Sequence, residues 1–169
     1  MPESIAVALP KPYLVRCEPA QAEPIYRCLL GHARNLTQPI DAISFAEFKE
    51  NVFESSQYFY WCDEKTIRAL AFLGRFDQLS RSAEFGIVAM APGQGHGGEA
   101  AVSLFRYAFG TLGLHRLYCI VNEDNESCLK AIKKLGLLRS EGRTRQSRFV
   151  NGRFIDQMLF SRLATDQEE

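Results

Sequence analysis

The sequence lacks any apolar run near the roughly 20 residues that a membrane-spanning helix needs, and no basic, apolar, small-residue leader opens it. A soluble, cytoplasmic protein without membrane contacts is therefore expected. An excess of one charge is missing too: 20 Lys and Arg stand against 20 Asp and Glu. No global field then draws the chain to nucleic acid. The five cysteines, Cys17, Cys28, Cys62, Cys119 and Cys128, form no C-x-x-C pair and no cluster with His at metal spacing. An odd, scattered set of this kind points to a reducing compartment and to no bound metal. Internal repeats and low-complexity tracts are also absent. What remains is one ordinary domain, because 169 residues with 46% hydrophobic content close a single core and fall short of two.

The pattern inside that domain alternates between periods of two and of 3.6. Residues 1–12 carry three prolines and no periodicity, and the polar tail 164–169 matches them, so both ends are expected to fray around a domain at 13–163. Tyr13 to Cys17 reads as a first strand. Pro19 to Arg34 reads as a helix with Ile25, Cys28, Leu29 and His32 on one stripe. Ser44 to Glu54 reads as a second helix, opened by a capping box of Ser44 and Glu47. Gln57 to Cys62, Ile67 to Phe76 and Ala83 to Met90 read as an antiparallel meander. The aromatic run from Tyr58 to Trp61 is assigned to the core rather than to a binding platform. A helix at Gly97 to Leu112, a strand at His115 to Val121 and a helix at Asn125 to Leu135 follow. Two closing strands, at Leu137 to Arg148 and Arg153 to Arg162, turn at Asn151-Gly152. The sum is a mixed α/β (α+β) domain with a largely antiparallel sheet.

Between the fourth strand and the next helix lies Ala91-Pro92-Gly93-Gln94-Gly95-His96-Gly97-Gly98-Glu99. Glycines let successive N–H groups point one way, and the helix N-terminus behind them adds partial positive charge, so such a loop suits a pyrophosphate. A plain flexible turn fits the same composition. The Lys and Ser/Thr of a Walker loop are missing, and a meander precedes the loop instead of a βαβ unit, which excludes a dinucleotide fingerprint.

The order of these pieces carries more. Ala83-Glu84-Phe85-Gly86, Gln94-Gly95-His96-Gly97, Tyr107-Ala108-Phe109, Gly113-Leu114-His115-Arg116-Leu117, Asn125, Lys134-Leu135-Gly136-Leu137, Glu141-Gly142-Arg143 and Phe154-Ile155-Asp156 follow one another at family spacing. Over Tyr13 to Leu163 the chain resembles the GNAT superfamily of acetyl-CoA-dependent N-acetyltransferases, in its RimJ/RimL-like branch. That branch holds enzymes acting on protein N-termini and others acting on amino-sugar nucleotides.

The resemblance implies about seven strands with helices on both faces, the fourth and fifth strands splayed. It implies acetyl-CoA as co-substrate, its pantetheine arm on the backbone of Ile87, Val88 and Met90, and its pyrophosphate on Gln94, Gly95, His96, Gly97 and Gly98. Asn125 would face the arm near the thioester, a role compatible with capping its helix. Glu84 is the first candidate for the base, with a strand-edge salt bridge as its other reading, and Glu141 the second. An N–H near Val88 or Met90 is the candidate donor to the thioester carbonyl.

Several positions depart from the family. Ile132 stands where many relatives carry the acidic Tyr. Cys128 stands at a serine position, where it serves either as the acid or as packing, with Ser127 behind it. Gln94 replaces a basic residue. His96 is expected to be solvated on its loop. Arg139, Arg143, Arg145, Arg148 and Arg153 crowd the final hairpin as a solvated face or, if they line the cleft, as a site for an anionic acceptor. The family elements lean toward an amino-sugar nucleotide among the possible amines. A homodimer is the common relative state. The competing reading is a catalytically silent acyl-CoA-binding module, which Ile132 favours.

Overall fold

Alternating apolar residues give seven strands, and two helical stripes cover their two faces. The computed structural model describes residues 13–37, 39–63 and 66–166. The fraying expected of residues 1–12 lies outside that range, as do residues 167–169 of the tail. The strands are β1 (Tyr13–Arg16), β2 (Gln57–Asp63), β3 (Thr66–Asp77), β4 (Ser82–Ala89), β5 (Arg116–Asn122), β6 (Arg139–Val150) and β7 (Arg153–Leu163). They form one sheet in the order β1-β2-β3-β4-β5-β7-β6, antiparallel everywhere except between β4 and β5.

The helices are α1 (Ala22–Leu30), α2 (Phe45–Glu47) running on into a π-turn over Phe48–Phe53, α3 (His96–Arg106) with a π-turn over Tyr107–Thr111, and α4 (Glu126–Leu135). The long first helix expected from Pro19 to Arg34 breaks into a 3-10 turn, α1 and a second 3-10 turn after Gly31. Ser44 and Glu47 close the expected capping box, with the serine oxygen accepting from Glu47 N and the Glu47 carboxylate accepting from Ser44 N. Gly136 ends α4 at φ 69°, and Asn151-Gly152 turns the last hairpin with both residues at positive φ.

On one face α3 and α4 pack Ala101, Leu104, Phe105 and Leu129 over Phe59, Leu73, Phe85 and Leu117. On the other, Ile25, Leu29, Phe48 and Phe53 cover Tyr58, Leu70 and Val88. Tyr58, Phe59 and Trp61 are almost fully buried in these layers, so the aromatic run is core as expected. No helix among the described residues is long and apolar enough to cross a membrane.

Candidate active site

The parallel pairing of β4 with β5 covers only Ser82–Arg116, Ala83–Leu117 and Glu84–Tyr118. Beyond that point β4 runs on to Ala89 and β5 to Asn122, while β3 and β7 keep pairing with their outer edges. The two strands therefore fork. At ~3.3 Å per residue, the unpaired edge of β4 from Phe85 to Ala89 is about 16 Å long.

Alternation decides which groups face the fork. Met90 N donates to Arg68 O at 2.9 Å, and the register continues through Val88–Leu70 and Gly86–Phe72. Those residues direct their N–H and C=O groups to β3, so Phe85, Ile87 and Ala89 direct theirs into the fork. Ile87 thus offers its main-chain groups to the fork. Val88 and Met90 do not: their amides are committed to the β3 ladder, and Val88 instead buries its side chain under α1. Phe85 and Ala89 take their place, which strict alternation along β4 dictates once the register is fixed.

The glycine loop lies at the end of β4 next to the fork's open end. Gly93 and Gly95 both hold φ 86°, a conformation glycine adopts without strain, and a Cβ added at either would meet nothing within 4 Å. Gly95 caps α3. The first amides of a helix have no intrahelical acceptor, and among the described residues those of Gly95, His96 and Gly97 have no main-chain partner. Gly98 N, by contrast, donates to Gly95 O at 3.0 Å, so it is not free for a phosphate. A Cβ on Gly97 would make ordinary contact with Ala89 and Ile87, which places this turn against the end of β4. His96 is not solvated as expected. Its ring packs 5.6 Å from that of Trp61, and its side chain is 17% exposed. A row of main-chain donors without main-chain partners, beside an open strand edge, fits the diphosphate and the amide-bearing arm of CoA. Gln94, exposed, adds no charge to it.

Glu84 stands where the fork begins and is 3% exposed. Thr37 Oγ1 donates to its Oε1 at 3.4 Å, and Arg75 Nε lies 3.1 Å from its Oε2 without the alignment of a hydrogen bond. Burial pushes its pKa up, and the Arg75 cation and the Thr37 hydroxyl oppose that rise. Arg75 reaches this place from a bulge in β3 between Gly74 and Asp77, where it holds φ 48°. A non-glycine residue there costs about 1–3 kcal/mol. Beside the carboxylate is a cavity of about 30 Å³ lined by Thr37, Ser56, Tyr58 and Gly74, enough for a single water. Tyr118 faces Glu84 across the last pair of the ladder, its phenol pKa raised by burial and by that carboxylate.

The second candidate base is engaged elsewhere. Both oxygens of Glu141 accept from Arg116 at 2.5 Å, and Ser161 Oγ donates to Oε1 at 2.6 Å. Those donors hold its pKa at about 2, which makes it a weak proton acceptor at neutral pH. Cys128 packs against the α3 and α4 core, and burial pushes its thiol pKa up. That environment favours the packing role over the acid. Asn125 Oδ1 accepts from Cys128 N at 3.3 Å and from Ser127 Oγ at 3.0 Å, so Asn125 is the N-cap of α4. Ile132 packs in the same core.

Three of the five arginines of the hairpin are partnered. Arg143 pairs with Glu123 and Asp156, Arg153 with Asp124, and Arg139 approaches Asp166 at 3.8 Å. Those three guanidiniums are offset by neighbouring acids, while Arg145 and Arg148 form no ion pair among the described residues, and the hairpin gives no support for an anionic acceptor. Buried Asn122, missed in the sequence, accepts from Gln157 Nε2 at 2.9 Å and donates to Arg34 O at 3.2 Å. It ties the chain after α1 to β5 and β7.

The model of the acetyltransferase (GNAT) domain family matches residues 14–138. The chain belongs to that family. This GNAT chain is 34% identical over 87 residues to spermidine N(1)-acetyltransferase of Escherichia coli strain K12, a match covering 50% of the chain and 46% of the relative. The chain thus spans about half the length of the curated relatives it matches. Among solved structures it superposes on a chimera of spermidine N-acetyltransferase SpeG from Vibrio cholerae and hSSAT at a TM-score of 0.76 and 25% identity, over 90% of this chain and 95% of that one. A dodecameric structure of the Vibrio cholerae spermidine N-acetyltransferase gives a TM-score of 0.73 at 23% identity, over 90% and 94%. The GNAT fold expected from the resemblance is thereby shown, with the splayed strands in place. These relatives are polyamine enzymes and lend no support to the RimJ/RimL-like branch or to an amino-sugar nucleotide.

Proposed function

We propose that this GNAT chain is an acetyl-CoA-dependent N-acetyltransferase whose acceptor is a primary amine of the spermidine class. The observation that carries the reading is the fork itself, open from Phe85 onward, with glycine amides beside its open end and the buried carboxylate of Glu84 where it begins. CoA supplies an activated acetyl thioester. The chain's residues do the rest: Gly95, His96 and Gly97 hold the diphosphate, and Phe85, Ile87 and Ala89 orient the arm along β4. Glu84, directly or through one water, accepts the proton that the amine nitrogen loses as it bonds to the acetyl carbon and the carbon–sulfur bond breaks. The departing thiolate takes its proton from water, since the chain offers Ile132 and a buried thiol where relatives carry an acid. Oligomerisation belongs to the same proposal, because β6 is an edge strand exposed along most of its length and the Vibrio cholerae relative is dodecameric.

The test is release of free thiol from acetyl-CoA with spermidine as acceptor, with mono-acetylated product identified by mass spectrometry. Spermidine is expected to outperform an amino-sugar nucleotide and an N-terminal peptide. Tight CoA binding with no thiol released by any amine would replace this reading with the silent acyl-CoA-binding module.

Arg75 gives the proposal a pH signature. Rate depends on ionised Glu84, so kcat/KM rises as pH passes up through the Glu84 pKa. The Arg75 cation lowers that pKa against burial, so Arg75→Gln moves the acidic limb of the profile to higher pH while the plateau at high pH is largely kept. A limb that stays in place shows that the ion pair does not set the base.

A further inference from the structure

Away from the fork, the lower half of α3 and its π-turn, the α4–β6 link and the end of β7 border a half-open cavity of about 320 Å³. Its walls are apolar where Phe105, Phe109 and Leu137 line it, and two guanidiniums, Arg106 and Arg162, border it. Arg162 is 7% exposed, yet Nη1 donates only to Leu137 O, at 3.3 Å. No carboxylate among the described residues forms an ion pair with Arg162. A guanidinium largely withdrawn from water is costly unless a partner compensates it. The one acid in the wall, Asp166, is turned elsewhere: its Oδ2 accepts from Leu163 N at 2.9 Å and its Oδ1 lies 3.8 Å from Arg139 Nε.

We infer that this cavity is a second binding site, for a small organic carboxylate with a flat apolar body. The volume sits at the small end of ligand pockets. The planar fork of Arg162 matches a carboxylate with two parallel N–H···O bonds, and Arg106, exposed at the mouth, adds a second positive charge. The phenylalanines and Leu137 exclude water from the ligand's body and strengthen that pairing. Arg106 is ten residues along the helix from His96, or about 15 Å at 1.5 Å per residue, so the site is separate from the glycine loop. The inference stands without the acyl-transfer reading, since it uses none of that site's residues.

Calorimetry on the full chain at constant ionic strength tests it, with benzoate as probe, benzamide as its uncharged isostere and inorganic phosphate as an anion without an apolar body. Benzoate is expected to bind one site per chain, more tightly than either control, and to bind equally well when CoA saturates the protein. Arg162→Gln is expected to weaken benzoate at least about tenfold, the scale of a lost charge-assisted hydrogen-bond pair. Because a change at a buried position can disturb folding, Arg106→Gln, at an exposed position, and Val102→Trp, which fills the cavity without touching its charge, serve as independent variants. Each is expected to weaken benzoate with thermal unfolding still cooperative. Equal binding of benzoate and benzamide, phosphate binding as tight as benzoate, competition by CoA, or affinity unchanged in both folded variants overturns the inference.

Discussion

Replacing Glu84 by Gln is expected to lower kcat/KM roughly 100- to 1000-fold, the scale of a lost general base, with the dissociation constant of acetyl-CoA nearly unchanged. The glutamine keeps the shape of the side chain and its contact with Thr37, but it cannot take up a proton. Glu84 is the carboxylate for this work because of where it lies: on β4 at the last pair before the fork, buried, with a water-sized cavity beside it. Glu141→Gln is the instructive comparison. That change breaks the paired hydrogen bonds with Arg116 and is expected to lower thermal stability more than rate. A Glu84→Gln enzyme with the parent kcat/KM would move the base elsewhere and leave the fork only a binding role.

The second large effect separates two neighbouring residues of β4. Proline at Ile87 removes an N–H that faces the fork and deletes no bond of the β3–β4 ladder, because the Ile87–Ala71 pair is one of the non-hydrogen-bonded pairs of the register. The ring also projects into the gap. CoA affinity is expected to fall at least roughly 100-fold, about 2.7 kcal/mol, from the lost donor and the obstruction together, with folding retained. Proline at Val88 removes a ladder donor to β3 and empties a place in the core under α1, so cooperative unfolding is expected to be lost. Titration with CoA and a thermal melt on the two variants check the pair. If Ile87→Pro binds CoA as the parent does, the arm does not run along this edge.

Much of this was legible in the sequence because the signals are local. Ser44 and Glu47, Gly136 and Asn151-Gly152 each mark an element end by their own backbone chemistry, and period-two alternation located every strand to within about two residues. The glycine loop was found the same way, by type and by position between a strand and a helix, whereas Glu84 was singled out through the family resemblance. Properties that depend on register or on long-range contact were not. Whether Val88 or Ile87 offers its amide is a parity question that only the β3–β4 pairing answers. Arg75 sits 3.1 Å from Glu84 because a bulge holds it at φ 48°, and nothing in Gly74-Arg75-Phe76-Asp77 announces that bulge. His96 looked like a loop-tip side chain until Trp61, 35 positions earlier in the sequence, came to lie against it. Arg143 and Arg153 read as part of a free positive surface because their acids, Glu123 and Asp124 in the turn after β5 and Asp156 on β7, meet them only in the fold.

The central claim is that CoA completes the edge of β4, and amide hydrogen exchange by NMR tests it residue by residue. In the free protein the amides of Phe85, Ile87 and Ala89 are expected to exchange faster than those of Gly86, Val88 and Met90, which the β3 ladder protects. Saturating CoA is expected to slow Ile87 and at least one of its two fork-facing neighbours and to leave the ladder set unchanged. Fork-facing amides that exchange at the same rate with and without CoA would contradict the account.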